Sequence, residues 1–269
     1  MSTEPSDLCA PDHVDHPEHS GADFQGDEDI KTSPAWFSSP SMTGVICAAC
    51  TMVLYALTVA PTFSWGDSAD LAMRLISDAD QTFIGTHRDY VFFRLVGQAA
   101  TWLPIQDAGL RANLFTAFWG AVTIGSVAFI VKVICRSAVA AFAAASSLAV
   151  AHSFWLLSVI AEVYTFNAAL VFLAFAFMVA WWDSANHHLL WATAFFSGLS
   201  LLHHASGLVL LVSIIPLLAM RARQIGLLNG AVFLAVFVLS SSTFWLAVFS
   251  RFGEGFGLLD TLGLKMSQN

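Results

Sequence analysis

Charged residues are scarce in this chain of 269 residues. They make up 11% of it, whereas hydrophobic residues make up 57%. Soluble domains contain about 25% charged and about 45–50% apolar residues, so the composition excludes an ordinary soluble domain and predicts an all-α, polytopic membrane protein. Lys and Arg nowhere form a basic patch, which excludes nucleic acid as a partner.

Cysteine is also rare, with four in the whole chain. Cys47 and Cys50 form a CxxC pair, which is typical of a redox pair or of half a metal site. The pair lies within an apolar run and has no second pair to complete four ligands. We therefore interpret both cysteines as small residues on a helix face and predict no metal site that uses them.

The acidic residues are concentrated at the N-terminus. Residues 1–40 contain nine Asp and Glu residues and one base, Lys31, while the rest of the chain is electrically balanced. A segment so polar cannot bury enough apolar surface to offset its ordering entropy, and it lacks the basic start of a cleavable signal peptide. We predict a disordered tail over 1–40, a membrane domain over 41–252 and a short C-terminal tail over 253–269.

Apolar runs after residue 40 predict roughly seven membrane helices, some of them short or broken, since one span needs about 20 apolar residues. The runs are 43–63, 112–131, 138–160 (interrupted at His152), 163–182, 189–202, 207–220 and 227–249. Residues 91–103 are apolar but short, and they carry Arg94 and Gln98. This segment is expected to lie at the membrane interface or to be re-entrant.

The order of the spans places most polar candidates at one membrane face. Lys and Arg divide equally between the two sides, so the positive-inside rule does not decide the absolute orientation. In either orientation one face receives Asp67, Asp70, His87, His152, Glu162, His203 and His204. The opposite face receives Lys132, Arg136, Asp183, Arg221 and Arg223.

The longest polar interruption of the membrane region is 64–90, and it contains Asp67 and Asp70 three residues apart. On a helix both carboxylates share one face. Such a pair suits general-base catalysis or a divalent cation. The alternative is structural: Asp67 or Ser68 caps a helix that begins near Ala69, with Asp70 favoured by the helix dipole. The two interpretations are compatible.

Glu162 and the pair His203-His204 interrupt other apolar runs. An acid at bilayer depth costs about 2.5–3.5 kcal/mol on insertion scales, so Glu162 should face a polar cavity unless it lies in water at the interface. The two histidines either line a cavity or form a surface loop. Haem ligation would need partner histidines, and His152 is the candidate. Tryptophans near the span ends indicate an interfacial belt, with sugar stacking by Trp65 or Trp155 as the alternative.

Four segments in order over about 150 residues resemble motifs of a large, mostly bacterial membrane family related to the protein O-mannosyltransferases, which are GT-C glycosyltransferases. They are Ala60-Pro61 with Trp65-Gly66-Asp67-Ser68-Ala69-Asp70-Leu71, similar to "GDSGEL"; Arg111–Ala117, similar to "R-x-N-L-x-S-A"; Trp155 with Ala161–Thr165, similar to "W…AEVYT"; and Gly198-Leu199-Ser200 with His203 or His204. The resemblance implies a GT-C-like fold in the bacterial inner (plasma) membrane.

The resemblance also implies transfer of a mannose-like sugar from a polyprenyl-phosphate donor to a protein or glycan acceptor on the non-cytoplasmic face. Asp67 and Asp70 would be the catalytic carboxylates, with Asp70 where the family has Glu. The implied substrate-binding residues are Trp65, Arg74, His87, Arg88, Glu162, Tyr164, His203 and His204. Arg74, Arg88 or His87 would hold the leaving phosphate; no cofactor is implied, and a divalent cation is left open.

The chain departs from the family between His87 and Phe92, where "HPPGYPL" is replaced by His-Arg-Asp-Tyr-Val-Phe. Family members are also usually longer. These departures favour an alternative from another class: a non-catalytic, degenerate or transporter-like relative that binds lipid or sugar without turnover. A short member, a truncated reading frame or one half of a larger protein are all compatible with the shorter length, and loss of activity is an open alternative for each. Convergence of the polar candidates on one cavity would favour the enzyme.

Overall fold

The computed structural model describes residues 39–76, 90–204 and 206–253, and the regular structure in these ranges is helical throughout. This confirms the all-α prediction for the described part of the chain. The helices, in order, are α1 (Pro40–Thr58), α2 (Asp67–Ile76), α3 (Val91–Gly97) with a 3₁₀ turn (Gln98–Trp102), α4 (Ala108–Cys135), α5 (Ala138–Ala149), α6 (His152–Val159), α7 (Val163–Ser184), α8 (His187–His203), α9 (Gly207–Met220), α10 (Ala222–Ser240) and α11 (Ser242–Gly253).

Helix α4 is the centre of the bundle, packed against α1 on one side and α7 on another, while α7 in turn packs on α8 and α8 on α10. The crossing of α1 and α4 is close because glycines face each other there. A Cβ added to Gly125 would lie 2.7 Å from Gly44 O and 2.8 Å from Ala48 Cβ. Small residues at a helix crossing are the usual means of close packing in membranes, where lipid removes the hydrophobic drive between helices.

Four helices are long and apolar enough to cross a membrane, namely α1, α4, α7 and α10. The pair α5 and α6 supplies a fifth if it counts as one broken span, since the two helices are bent by 66° at the break. Helix α9 is apolar but shorter. These lengths and compositions indicate a membrane protein, and the described residues supply four or five such helices where the sequence predicts seven.

Two predicted boundaries differ from the structure. The first span ends at Thr58 and not at Phe63, because the chain turns away there and Ala60 N–H donates to Val159 O at 3.0 Å. The run predicted over 227–249 is not one helix. It is divided at Ser241 into α10 and α11, and α10 itself contains a kink at Gly226, whose φ of +66° is left-handed.

The end of the bundle at the C-termini of α4 and α7 carries several charged residues. Arg136 forms an ion pair with Asp183 across the two helix ends. Arg221, which follows α9, donates to Trp182 O at 2.7 Å and lies over the Trp182 ring at 4.0 Å. These three residues were expected on the face opposite Asp67 and Glu162, and they lie together.

Candidate active site

Helix α2 presents a polar face beside the end of α1. Gly66, with φ of +68°, makes the turn that starts the helix at Asp67, a conformation that glycine adopts without strain. Asp67, Asp70 and Arg74 recur at helical spacing and line one pocket. Below them Leu75 and Ala72 are buried against the core, which fixes the orientation of this face.

Glu162 approaches the same pocket from the short link between α6 and α7. Its backbone N–H donates to Thr116 Oγ1 of α4 at 3.4 Å. Its Oε1 accepts a hydrogen bond of 3.1 Å from Ser68 Oγ, which is buried in the first turn of α2. This bond joins two segments 94 residues apart, so Glu162 and Asp67 are brought to one place by the fold and not by sequence proximity.

The pocket has a volume of about 270 Å³. It is lined by Asp67, Asp70, Leu71, Arg74, Tyr90, Glu162, Val163 and Tyr164. Arg74 Nε lies 2.7 Å from Asp70 Oδ2, so this guanidinium offsets the Asp70 charge. Among the described lining residues, two further carboxylates therefore face the pocket, those of Asp67 and Glu162.

Burial raises the pKa of Glu162 above its ordinary value, and the nearby charge of Asp67 acts in the same direction. The hydrogen bonds from Ser68 and from the Val163 N–H act against this shift. A carboxyl with a raised pKa beside an exposed carboxylate is the arrangement by which active sites give two acids different roles. Such a perturbed group in a pocket marks a functional-site candidate.

Tyr90 lines this pocket, and its ring also contacts the two histidines. Its ring stacks on that of His204, with centroids 6.4 Å apart, and is tilted against that of His203 at 5.7 Å. His203 is 2% exposed, and its Nε2 lies 3.2 Å from Val163 O. Neither histidine is among the lining residues of this pocket, although the Tyr90 ring contacts both, so a role of His203 or His204 in a cavity stays a prediction.

The other predicted residues divide into three groups. Arg74 and Tyr164 line the pocket as expected. Trp65 does not, because it is 91% exposed on the turn that precedes α2. His87 and Arg88 lie outside the described residues. Within those residues, no group of three or more His, Cys, Asp or Glu side chains is arranged to hold a metal ion.

Sequence reasoning assigned no role to four residues that build the site. The sequence indicates Tyr90 only as part of the segment between His87 and Phe92, and Ser68 only as an alternative helix cap. Asn113 and Thr116 belong to the Arg111–Ala117 motif; in the structure Asn113 binds the backbone of the segment before α2, and Thr116 accepts from the Glu162 N–H. Their signal in the sequence is a pair of polar residues, one turn apart, inside an otherwise apolar helix.

Comparison with known families identifies a match over residues 87–227 to the model described as "Protein O-mannosyl-transferase TMEM260 N-terminal domain". The match covers just over half of the 269 residues. The chain belongs to this family. No curated protein and no solved structure matches it.

The family match includes Glu162, Tyr164, His203 and His204 and begins at His87. Helix α2, with Asp67 and Asp70, precedes the matched range. Membership therefore supports a relation to protein O-mannosyltransferases through one side of the pocket. The other side is joined to it by the Ser68–Glu162 hydrogen bond.

Proposed function

We propose that the chain is a membrane glycosyltransferase of GT-C type. It transfers a mannose-like sugar from a polyprenyl-phosphate donor to a hydroxyl group of a protein or glycan acceptor. The observation that carries this proposal is the convergence of Asp67, Asp70, Arg74 and Glu162 on one pocket at one end of the bundle. We place this end at the non-cytoplasmic face of the bacterial inner membrane.

In the proposed reaction Asp67 acts as the general base. Its carboxylate takes the proton of the acceptor hydroxyl, and the hydroxyl oxygen attacks the anomeric carbon of the donor sugar. The bond from that carbon to the phosphate oxygen breaks, and polyprenyl phosphate leaves with the electron pair. General-base assistance of this kind contributes about 10²–10⁴-fold to a rate.

The other lining residues support this reaction through charge and shape. Arg74 lines the pocket and pairs with Asp70, and in the proposed reaction its positive charge stabilises the leaving phosphate. Tyr90 and Tyr164 offer ring faces and hydroxyl groups, which suit the apolar faces and hydroxyls of a sugar. Glu162, with its raised pKa, can donate a hydrogen bond to a sugar oxygen while Asp67 accepts one.

The test is a transfer assay with radiolabelled polyprenyl-phosphate sugars, mannose first and other hexoses and pentoses after it. Membranes that contain the chain are compared with matched membranes that lack it, and label in protein and in glycan fractions is counted. Transfer that depends on the chain supports the proposal. Binding of the labelled donor without transfer, across the sugars and with acceptor fractions added, supports the alternative of a non-catalytic relative.

A further inference from the structure

The segment between α1 and Asp67 is held by contacts with other parts of the chain. Between the end of α1 at Thr58 and the start of α2 at Asp67 the backbone is not helical. Pro61 lacks an N–H, so this segment cannot bond to itself in the helical pattern. Non-helical backbone next to a span is tolerated where protein groups satisfy it.

Asn113 hydrogen-bonds the backbone carbonyl groups on both sides of Pro61. Its side-chain amide donates to Ala60 O and to Thr62 O, each at 2.9 Å. Asn113 is fully buried in α4, and its Oδ1 has no hydrogen-bond partner. An unpaired buried acceptor costs free energy, so the favourable hydrogen bonds of the Asn113 side chain are the two that it donates to this loop.

Further contacts reinforce the same segment without replacing Asn113. Thr62 Oγ1 donates to Asp107 Oδ2 at 2.9 Å, and the Trp155 indole donates to Thr58 Oγ1 at 3.0 Å. Gly109 lies directly under the loop, since a Cβ there would be 2.2 Å from Phe63 N. Asn113 is the group among them that is wholly buried and makes two bonds to the loop backbone.

One turn along α4, Thr116 Oγ1 accepts from the Glu162 N–H. The same face of α4 therefore binds the backbone on both sides of the pocket. We propose that Asn113 is a positioning residue, which sets the place of Asp67 in the pocket by fixing the 60–62 backbone. Its expected effect is on the rate of transfer and not on substrate binding, because its two hydrogen bonds go to backbone carbonyls of Ala60 and Thr62, which do not line the pocket.

The test uses Asn113→Ala, with Ser126→Ala as the matched control. Ser126 is also buried in α4, but its Oγ donates to Val122 O within its own helix. Asn113→Ser, which keeps one donor in a smaller side chain, provides a second variant if Asn113→Ala does not reach the membrane. Each is made in the full chain, and a nitroxide is attached at Trp65→Cys after Cys9, Cys47, Cys50 and Cys135 are replaced by Ser.

We expect the nitroxide to become more mobile in Asn113→Ala or Asn113→Ser and to stay unchanged in Ser126→Ala. The activity measurement rests on the proposed function: kcat should fall at least tenfold in Asn113→Ala, with KM changed less than threefold. Unchanged nitroxide mobility in both Asn113 variants would overturn the proposal, and so would a rise in KM with kcat intact. The spectroscopic result stands even if the chain transfers no sugar, so failure of the two proposals can be told apart.

Discussion

Glu162 is a half-buried acid whose carboxyl accepts a hydrogen bond from the Ser68 hydroxyl. Burial and the Asp67 charge both favour its protonated form and raise its pKa. The folded chain therefore holds a proton on Glu162 at a pH where the unfolded chain has lost it. By linkage, this group lowers the stability of the fold as the pH rises from the ordinary glutamate pKa of 4.5 through the raised one.

Glu162→Gln should remove this pH-dependent loss of stability, because the amide has no proton to lose in this range. The amide also keeps an oxygen that can accept from Ser68. We expect the Tm of Glu162→Gln in detergent, relative to the unsubstituted chain, to increase as the pH is raised across that window. Ser68→Ala is the companion variant: it removes a bond that lowers the pKa of folded Glu162, so the loss of stability should still begin near the ordinary pKa but extend to higher pH. A Tm difference that is the same at every pH would contradict this account of Glu162.

Helices α1 and α4 cross closely where Gly44 and Gly125 face each other. Gly125 faces Gly44 O so closely that a methyl group cannot enter without movement of backbone. Overpacking of this kind costs about 1–3 kcal/mol. We therefore compare the effect on stability of one methyl group added at this helix crossing with that of one added away from it.

Gly125→Ala should lower the Tm, while Gly230→Ala in α10 should raise it slightly. A Cβ at Gly230 meets only Ile225 Cγ2, at 3.8 Å, and replacing glycine by alanine within a helix gains about 0.5–1 kcal/mol. Both variants are measured by thermal unfolding in the same detergent. Equal Tm values for the two would mean that the α1–α4 crossing is looser than the structure indicates.

Much of the helix pattern could be predicted from apolar runs and their breaks. The interruption at His152 is confirmed as a bend, and the bounds of α9 agree with the predicted 207–220. The prediction of one helix over 227–249 was wrong, because hydropathy carries no information about a backbone break at Ser241 or a left-handed glycine at 226. These depend on local backbone geometry, which composition does not encode.

The bundle has two chemically different ends. One carries the pocket, at the C-terminus of α1 and the N-terminus of α7, and the other carries Arg136, Asp183 and Arg221. Helix α4 is 28 residues long and joins the two ends. At about 1.5 Å per residue this is enough to cross a bilayer.

Cys135, which is exposed at the end of α4, and a cysteine at Trp65 should therefore be modified from opposite sides of the membrane. Each is tested as the single cysteine, with an impermeant maleimide added to sealed vesicles of either orientation. The expected result is labelling of one position in each vesicle type. Labelling of both from the same side would contradict the placement of the pocket at one membrane face.

The composition of the pocket could be predicted in part. The spacing of Asp67 and Asp70 indicated a shared helix face, and the order of the spans brought Glu162 to the same end. The sequence could not indicate that Tyr90, which lines the pocket, packs on both histidines, since this depends on ring packing between positions 113 and 114 residues apart. Nor could it indicate the Ser68–Glu162 bond, which depends on how α2 docks on α4 and α7.

The most direct test of the account compares two matched carboxylate variants, Asp67→Asn and Asp183→Asn, in the polyprenyl-phosphate-mannose transfer assay. Each replaces one oxygen by an amide, the first in the pocket and the second at the opposite end of the bundle, with expression and membrane insertion measured for both. We predict that Asp67→Asn lowers transfer by about 10²-fold or more while Asp183→Asn transfers at the rate of the unsubstituted chain. Full activity in Asp67→Asn would remove this carboxylate from the mechanism and contradict the assignment of the pocket as the active site.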